Sequence, residues 1–194
     1  MELNQYQALA IRTAKWRGDL ALDLDHAALG IGSESGELSE TVVLAWMRMP
    51  FDANNLAEEL GDACWYVALM SQVMGWKFED LILEPGTASD MSPALAKAVL
   101  GRNPVALALL LGAFAGEVLT IVKAHIIYGK PLDDVMLKRK LSLYVTTASL
   151  LSDIHGFSFE EVTLKGNIEK LQKRYPDKYT DEAALARADK PAGE

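Results

Sequence analysis

The chain has 194 residues, half of them hydrophobic, which is sufficient for one sizeable core or two small cores fused together. Its 27 acidic and 19 basic residues give a net charge of −8, which argues against binding of a long nucleic acid. A small polyanion is still compatible with this charge if metal ions supply positive charge locally.

The spacing of apolar residues predicts an all-α fold, because helical periodicity extends over long stretches and hairpin signals are absent. Segments rich in Pro, Gly, Asn and Asp separate these stretches. The predicted helices, in chain order, span residues 3–17, 20–47, 54–74, 93–100, 105–127, 132–155 and 158–173. The remaining segment, residues 181–194, carries few large apolar groups, and we expect it to be a disordered tail.

Two pairs of similar segments indicate an internal duplication. LMSQVMGWKFEDL (69–81) aligns with LLSDIHGFSFEEV (150–162) at an offset of 81, and residues 28–43 align with residues 108–123 at an offset of 80. The shared Gly-Phe-Glu spacing favours duplication over a chance resemblance between apolar helices. The predicted helical repeats therefore span residues 1–85 and 92–180.

The sequence also bears on the compartment. Cys64 is the single cysteine, which excludes an intramolecular disulfide and fits a reducing environment. The opening MELNQYQALAIRTAKW is polar and charged throughout, unlike a signal peptide. The longest apolar run, Pro104 to Gly116, is well short of the roughly 20 residues that a membrane span needs. We therefore expect a cytoplasmic protein that does not cross a membrane.

Acidic side chains recur at i, i+3 spacing on two neighbouring predicted helices. Glu34 and Glu37 lie in SESGELSE, and Glu59 and Asp62 lie in NLAEELGD. Residues three apart share a helix face, and each acidic pair shares its face with apolar residues, so the carboxylates are expected to point inward. A short loop makes the two helices antiparallel neighbours, which would bring the four carboxylates together.

Like charges in an apolar cleft require compensation, since each partly desolvated carboxylate costs several kcal/mol. Protons, basic side chains or metal ions can provide it, and the two helices offer no Lys and only Arg48. Hard oxygen ligands without His or thiolate favour Mg²⁺ or Mn²⁺. Glu40 and Glu58 lie on other faces, at the rim or in solvent. The alternative is a solvated acidic face, which the repetition on two helices disfavours.

At these residues the sequence resembles the MazG-like all-α nucleoside triphosphate pyrophosphohydrolases. The family signature, E-x-x-E followed after a gap by E-x-x-D, reads here Glu34-Ser-Gly-Glu37 and Glu59-Leu-Gly-Asp62. ALGIGSESGEL and EELGDACWYVA are similar to the family stretches around this signature. The opening LNQYQALAIRTA and the ending NIEKLQKRYPDKY are also family-like, so the resemblance covers nearly the whole chain.

The resemblance implies an activity. Members of this family bind Mg²⁺ through the four carboxylates and hydrolyse nucleoside triphosphates to a monophosphate and pyrophosphate. It thus implies that Glu34, Glu37, Glu59 and Asp62 are metal ligands and catalytic residues, with Mg²⁺ as the metal and Mn²⁺ as a substitute. Such a metal bridges phosphate oxygens, neutralises the leaving group and activates water. One carboxylate would accept the proton of that water, and the sequence leaves open which one.

The second repeat departs from the signature. Its aligned positions carry Phe114, Glu117, Lys140 and Leu143. Family members are dimers or tetramers of one such unit, so the resemblance implies an internal pseudo-dimer with one metal site, whose chains can pair further as a homodimer. Lys123 matches a lysine that the family often has, and we expect it to reach phosphate across the pseudo-twofold axis.

The family ending N-x-x-K-L-x-x-R-Y-P occurs only after the second repeat, where it includes Asn167, Lys170 and Arg174. The resemblance implies a phosphate-binding tail. An Asn can hydrogen-bond sugar or phosphate, a Lys supplies a point charge, and an Arg forms a bidentate clamp. The alternative is an ordinary solvated helix end.

The sequence also predicts where four aromatic residues lie. Tyr66 lies one turn after Asp62 and either stacks on a base or fills the core. Trp46, Trp65 and Trp76 are expected in the core.

Other classes of site fit less well. His26, His125 and His155 are scattered, which argues against a triad or a zinc site, and no glycine-rich phosphate loop occurs. A di-iron bundle needs E-x-x-H pairs, which neither acidic pair provides. The alternative from a different class is a non-catalytic nucleotide-binding or helical interaction protein derived from the same family, an interpretation that the degenerate second repeat leaves open.

Overall fold

A computed structural model describes residues 1–83, 97 and 101–189. Over these residues the chain is all-helical and contains no strand, so the predicted fold class is confirmed. The helices are α1 (Leu3–Ile11), α2 (Leu20–Trp46), α3 (Ala53–Met74), α4 (Pro104–Ile126), α5 (Asp134–Ile154), α6 (Lys165–Arg174) and α7 (Asp181–Ala186). A 3₁₀ turn, Phe78–Leu81, follows α3, and a π-helical segment, Phe159–Leu164, leads directly into α6. The predicted helix 93–100 lies outside the described residues, apart from residue 97.

Side-chain caps determine where the long helices begin. The carboxylate of Asp19 accepts a hydrogen bond from the Leu22 amide at the start of α2, and Asp52 accepts from the second and third amides of α3. Asn103 caps α4, whose first residue is Pro104. These contacts satisfy amides that have no partner within the helix, which explains why the predicted starts of α2, α3 and α4 agree with the structure to within one residue.

The first helix is shorter than predicted and ends at Ile11 rather than at residue 17. The indole N–H of Trp65 donates to the Ala10 carbonyl at 3.0 Å and to Thr13 Oγ1 at 2.9 Å. Gly18 then adopts a left-handed conformation with φ 71°. A tertiary contact from α3 thus replaces the next helical hydrogen bond, and residues 12–19 become a loop.

The four long helices form the core. α2 packs against α3 on one side and α4 on the other, and α4 packs against α5. The fully buried side chains include Leu24, Ile31 and Leu38 of α2, Leu60 of α3 and Tyr144 of α5. Burial of each large apolar side chain contributes roughly 1.5–3 kcal/mol, so this packing fixes α2 and α3 as neighbours.

The segments that align in the sequence occupy comparable places. Residues 28–43 and 108–123 lie on α2 and α4, which pack against each other. Gly75 and Gly156 end α3 and α5 with φ 70° and 81°, and the phenylalanines three residues later, Phe78 and Phe159, are both buried. The duplication remains a prediction, and this geometry is compatible with it.

One helix among the described residues, α4, is long and apolar enough to cross a membrane. It has 23 residues, a mean hydropathy of 2.3 over its most apolar window, and 39% of that window is buried. The core helix of a soluble protein passes the same test, so this composition is weak evidence. Its Leu107, Leu111, Phe114 and Val118 are buried in the helical core.

Two further sequence predictions differ from the structure. The predicted disordered tail, of which residues 181–189 are described and 190–194 lie outside the described residues, begins with a helix, α7. Thr180 caps this helix by accepting a hydrogen bond from the Ala183 amide. Trp46, expected in the core, is 71% exposed because it occupies the last turn of α2, beyond the buried Leu38 and Val42.

Candidate functional site

A cleft of about 670 Å³ opens where α2, α3 and α6 meet. α2 contributes the two glutamates of the first acidic pair, and α3 contributes the second pair together with Trp65 and Tyr66. The loop after α1 and the segment after α6 form the outer walls, with Lys15, Arg17 and Tyr179 among their residues. The cleft therefore collects residues from both ends of the chain around the predicted acidic site.

Three of the four predicted carboxylates meet in this cleft. Glu34, Glu59 and Asp62 each present an oxygen, and these oxygens lie within 4.8 Å of one another. All three side chains are partly buried. Glu37 lines the same cleft but is exposed, outside this compact group. Glu37 therefore reaches the cleft from the exposed side of α2, because Ser35 and Leu38 occupy the buried face of the helix.

The proximity of these acids raises their pKa values. Burial, followed by the charges of Asp62, Glu37 and Glu59, raises the pKa of Glu34 to about 8. Burial and the neighbouring acids likewise raise the pKa of Glu59 to about 7, and burial raises the pKa of Asp62. The carboxylates therefore do not all ionise readily at neutral pH unless a positive charge joins them.

A positive charge comes from α6. Lys170 Nζ donates to Asp62 Oδ1 at 2.5 Å, forms an ion pair with the second Asp62 oxygen, and donates to Glu58 Oε1 at 3.2 Å. Its side chain is only 15% exposed. Glu58, placed by the sequence at the rim or in solvent, thus lies at the rim and shares this lysine with Asp62.

Asn167 supports the acidic site rather than lining the main cleft. Its Nδ2 donates to Asp62 Oδ1 at 2.7 Å, and its Oδ1 accepts a hydrogen bond from the Tyr6 hydroxyl at 3.1 Å. The residue is 4% exposed. Both ends of the amide bind protein groups, and the contact from Nδ2 fixes one oxygen of Asp62. The contact of Asn167 with sugar or phosphate stays a prediction.

Gly61 allows α6 to approach α3 closely enough for this contact. A Cβ atom at Gly61 would lie 2.8 Å from Asn167 Cβ and 3.1 Å from the Thr163 carbonyl oxygen. Both neighbours belong to the packed helical segment, so neither can give way without moving α6. The glycine that follows Leu60 in EELGD thus has a packing reason.

We expect Gly61→Ala to displace α6 and to lower stability by about 1–3 kcal/mol, the usual cost of overpacking. The displacement would also remove Asn167 and Lys170 from Asp62. Thermal melting checks the first effect, and the pKa of Asp62, followed by NMR, checks the second. Gly36→Ala is the matched control, because a Cβ atom there meets nothing within 4 Å. Equal melting temperatures for the two variants would contradict the packing argument.

An aromatic wall borders the acids. The rings of Trp65 and Tyr66 meet edge to face at 4.8 Å, and the ring of His26 lies 5.7 Å from that of Tyr66. Gly30 leaves room for the tyrosine, since a Cβ atom there would lie 2.1 Å from the ring. Tyr66 lines the cleft, as does Trp65, which is partly buried rather than a core residue. The two partly exposed rings can contact a flat ligand group.

The last two predicted phosphate contacts have different positions. Arg174 lines the cleft, and its guanidinium forms a two-pronged ion pair with Asp189. Lys123 is exposed on α4 and is not among the residues that line the cleft. The buried face of that helical turn carries Val118 and Val122, and the next position points away from it. The predicted reach of Lys123 across the pseudo-twofold axis is therefore not observed.

Several cleft residues were absent from the sequence prediction. Lys15 and Arg17 line the cleft because α1 ends early, and Asp189 contacts Arg174 because the chain remains folded after α6. The cluster KWRGD at 15–19 joins two cations to a glycine, a turn signal that identifies this loop. The sequence gives no comparable signal for Asp189.

Comparisons with known proteins give no match: no family model, no curated protein and no solved structure matches this chain.

Proposed function

We propose that the protein is a Mg²⁺-dependent hydrolase that converts a nucleoside or deoxynucleoside triphosphate to a monophosphate and pyrophosphate. The single observation that supports this proposal most is the group of three carboxylates, with oxygens within 4.8 Å of one another, in a cleft that also contains Lys170 and Arg174. The resemblance of the ExxE and ExxD pairs to the MazG-like hydrolases agrees with it.

The residues present fit a hard divalent cation. The oxygens of Glu34, Glu59 and Asp62 are close enough to share one ion, and His or thiolate ligands are not part of the group. The raised pKa values of the two glutamates mean that a cation would relieve unfavourable charge there. Glu37 lines the same cleft, and we propose that it completes the ligand set or holds a second ion. Mg²⁺, or Mn²⁺ in its place, is the proposed cofactor.

When bound, such a cation supplies neutralisation of phosphate charge and activation of water. The remaining roles belong to side chains. One of the carboxylates of the cleft would accept the proton of that water. Lys170 and Arg174 offer charge and a bidentate fork to the phosphate chain. Tyr66 and Trp65 offer ring surfaces to the base.

A second candidate function, nucleotide binding without turnover, has its own supporting observation. The ion pairs of Lys170 with Asp62 and Glu58 compensate part of the acidic charge without a metal. A cleft balanced in this way can hold a nucleotide and leave its phosphate bonds intact.

A panel of nucleoside and deoxynucleoside triphosphates distinguishes the two functions. Each nucleotide is incubated with the protein and Mg²⁺, and monophosphate and pyrophosphate are quantified alongside diphosphate and inorganic phosphate. The proposed hydrolase releases monophosphate and pyrophosphate in equal amounts from at least one nucleotide, and chelation of the metal stops the release. A rise in melting temperature with nucleotide, without any product, would instead establish the binding protein.

A further inference from the structure

Arg174, one of the arginines that line the cleft, is paired with an acid from the same chain. Arg174 Nε donates to Asp189 Oδ1 at 2.5 Å, and its NH2 nitrogen contacts the second oxygen of the same carboxylate. The Asp189 side chain is fully buried, whereas that of Arg174 is 19% exposed. The contact with Arg174 lowers the pKa of Asp189, so the aspartate is present as an anion.

Residues 175–189, here called the C-terminal strap, carry this aspartate back to the cleft. The Arg12 guanidinium donates to the Pro176 carbonyl at 3.2 Å, and Lys15 forms an ion pair with Asp181 at 2.5 Å. These contacts hold the first part of the strap against the loop after α1. α7 then ends at Ala186, and the following residue, Arg187, has a φ of 44° that turns the chain so that Asp189 meets Arg174.

A carboxylate and a phosphate present the same recognition element to a guanidinium, namely two oxygens spaced for two parallel N–H donors. We propose that Asp189 is a resident competitor at Arg174, and that a polyphosphate chain entering the cleft displaces the end of the strap. This inference rests on the proposed function only in taking the ligand to be a polyphosphate chain. It concerns regulation of access to the site and not the hydrolytic step.

Competition by Asp189 lowers the affinity of the cleft for a polyphosphate ligand by a measurable factor. A tethered acid acts at a high effective concentration, so a ligand binds only in the fraction of molecules in which the strap end has left Arg174. If that fraction is roughly one in ten, removal of the Asp189 charge strengthens binding about tenfold. Removal of the Arg174 fork weakens binding whether or not Asp189 is present.

Titration calorimetry with inorganic tripolyphosphate and Mg²⁺ tests the proposal. Asp189→Asn is expected to bind tripolyphosphate about tenfold more tightly than the natural protein. Glu182→Gln removes one negative charge from an exposed position of the same strap and is expected to bind like the natural protein. The double variant Arg174→Lys, Asp189→Asn is expected to lose the gain. Equal or weaker binding by Asp189→Asn, an equal gain in Glu182→Gln, or no binding by any of them would overturn the proposal.

Hydrogen exchange gives a second readout that does not depend on a variant. Saturation of the natural protein with tripolyphosphate is expected to speed exchange of the amides at 185–189, since the strap end is released. Unchanged or slower exchange there would count against displacement. The two proposals also fail separately. If Asp189→Asn binds tripolyphosphate more tightly but no nucleotide yields pyrophosphate, only the hydrolase proposal is wrong. If pyrophosphate is released and Asp189→Asn changes neither binding nor release, only the strap proposal is wrong.

Discussion

Replacement of Glu59 by Gln is expected to lower pyrophosphate release by roughly 10²–10³-fold, the range for loss of one electrostatic contact with a transition state. The same substitution is expected to stabilise the metal-free protein at pH 8. Activity and metal-free stability change in opposite directions for one reason. The negative charge of Glu59 binds a cation, but it is destabilising when no cation is present. Substitution of a residue that only filled space would not combine a loss of activity with a gain in metal-free stability.

The sign of the stability effect follows from the pKa. Burial and the neighbouring acids raise the pKa of Glu59 from 4.5 to about 7, so the folded state keeps a proton that the unfolded state has lost. The free energy of unfolding therefore decreases as pH rises from about 4.5 to 7, and the decrease is complete above that window. Glu34, with its pKa raised to about 8, extends the same decrease to about pH 8. Glu59→Gln removes the part of this decrease in stability that Glu59 causes.

Melting temperatures in a chelating buffer at pH 5 and pH 8 check this expectation. One kcal/mol corresponds to roughly 2–4 °C in a domain of this size, which calorimetry resolves. The natural protein melts at a lower temperature at pH 8 than at pH 5, and Glu59→Gln narrows the difference. Mg²⁺ restores stability to the natural protein chiefly at pH 8, since the ligands must be deprotonated.

Glu40→Gln serves as the matched control on the neighbouring helix, because Glu40 is exposed and does not line the cleft. It should retain release and the natural dependence of melting on pH. A natural protein as stable at pH 8 as at pH 5 without metal would contradict the electrostatic account. Full turnover in Glu59→Gln would contradict the metal assignment.

The helices that carry the acids were predictable because local signals define them. Asp19 and Asp52 belong to the residue types that cap helix N-termini. Gly75 ends α3 in a left-handed backbone conformation, which glycine adopts more readily than other residues. Periodicity also placed Glu59 and Asp62 on one face of α3. These features depend on residues within a few positions of one another.

The depth of each acid was not predictable from the same periodicity. An i, i+3 pair spans about 60° of a helix, so one member can be enclosed while the other reaches the edge. Glu34 is partly buried and Glu37 is exposed, although both line the cleft beside α3. Only the placement of neighbouring helices decides between the two members, and that placement is not encoded locally.

The partners of the acids were the least predictable part. Lys170 and Asn167 lie more than a hundred positions after Asp62 in the chain, and Asp189 lies 15 positions after its partner Arg174. The family resemblance pointed to Lys170 and Arg174 as ligands for phosphate. It gave no indication that acids of this chain occupy both cations, which follows from packing of the C-terminal segment.

Lys170→Met is expected to destabilise the metal-free protein by about 2–3 kcal/mol, somewhat below the roughly 3–5 kcal/mol for a fully buried pair, because Asp62 is 28% exposed. The variant leaves Asp62 and Glu58 without the cation that they share. Mn²⁺ is therefore expected to bind this variant more tightly than the natural protein, in which the metal competes with the lysine for Asp62.

Calorimetric titration with Mn²⁺ and thermal melting measure the two effects, with Lys173→Met, an exposed lysine of the same helix, as control. Adding Asp62→Asn to Lys170→Met should recover much of the lost stability, since the unpaired charge is then absent, and the double-mutant cycle isolates the pair. Weaker Mn²⁺ binding in Lys170→Met would show that the lysine organises the carboxylates for metal rather than competing with it. In that case Lys170 and metal would act on Asp62 together, and the lysine would be unable to move to the phosphate chain when the ion enters.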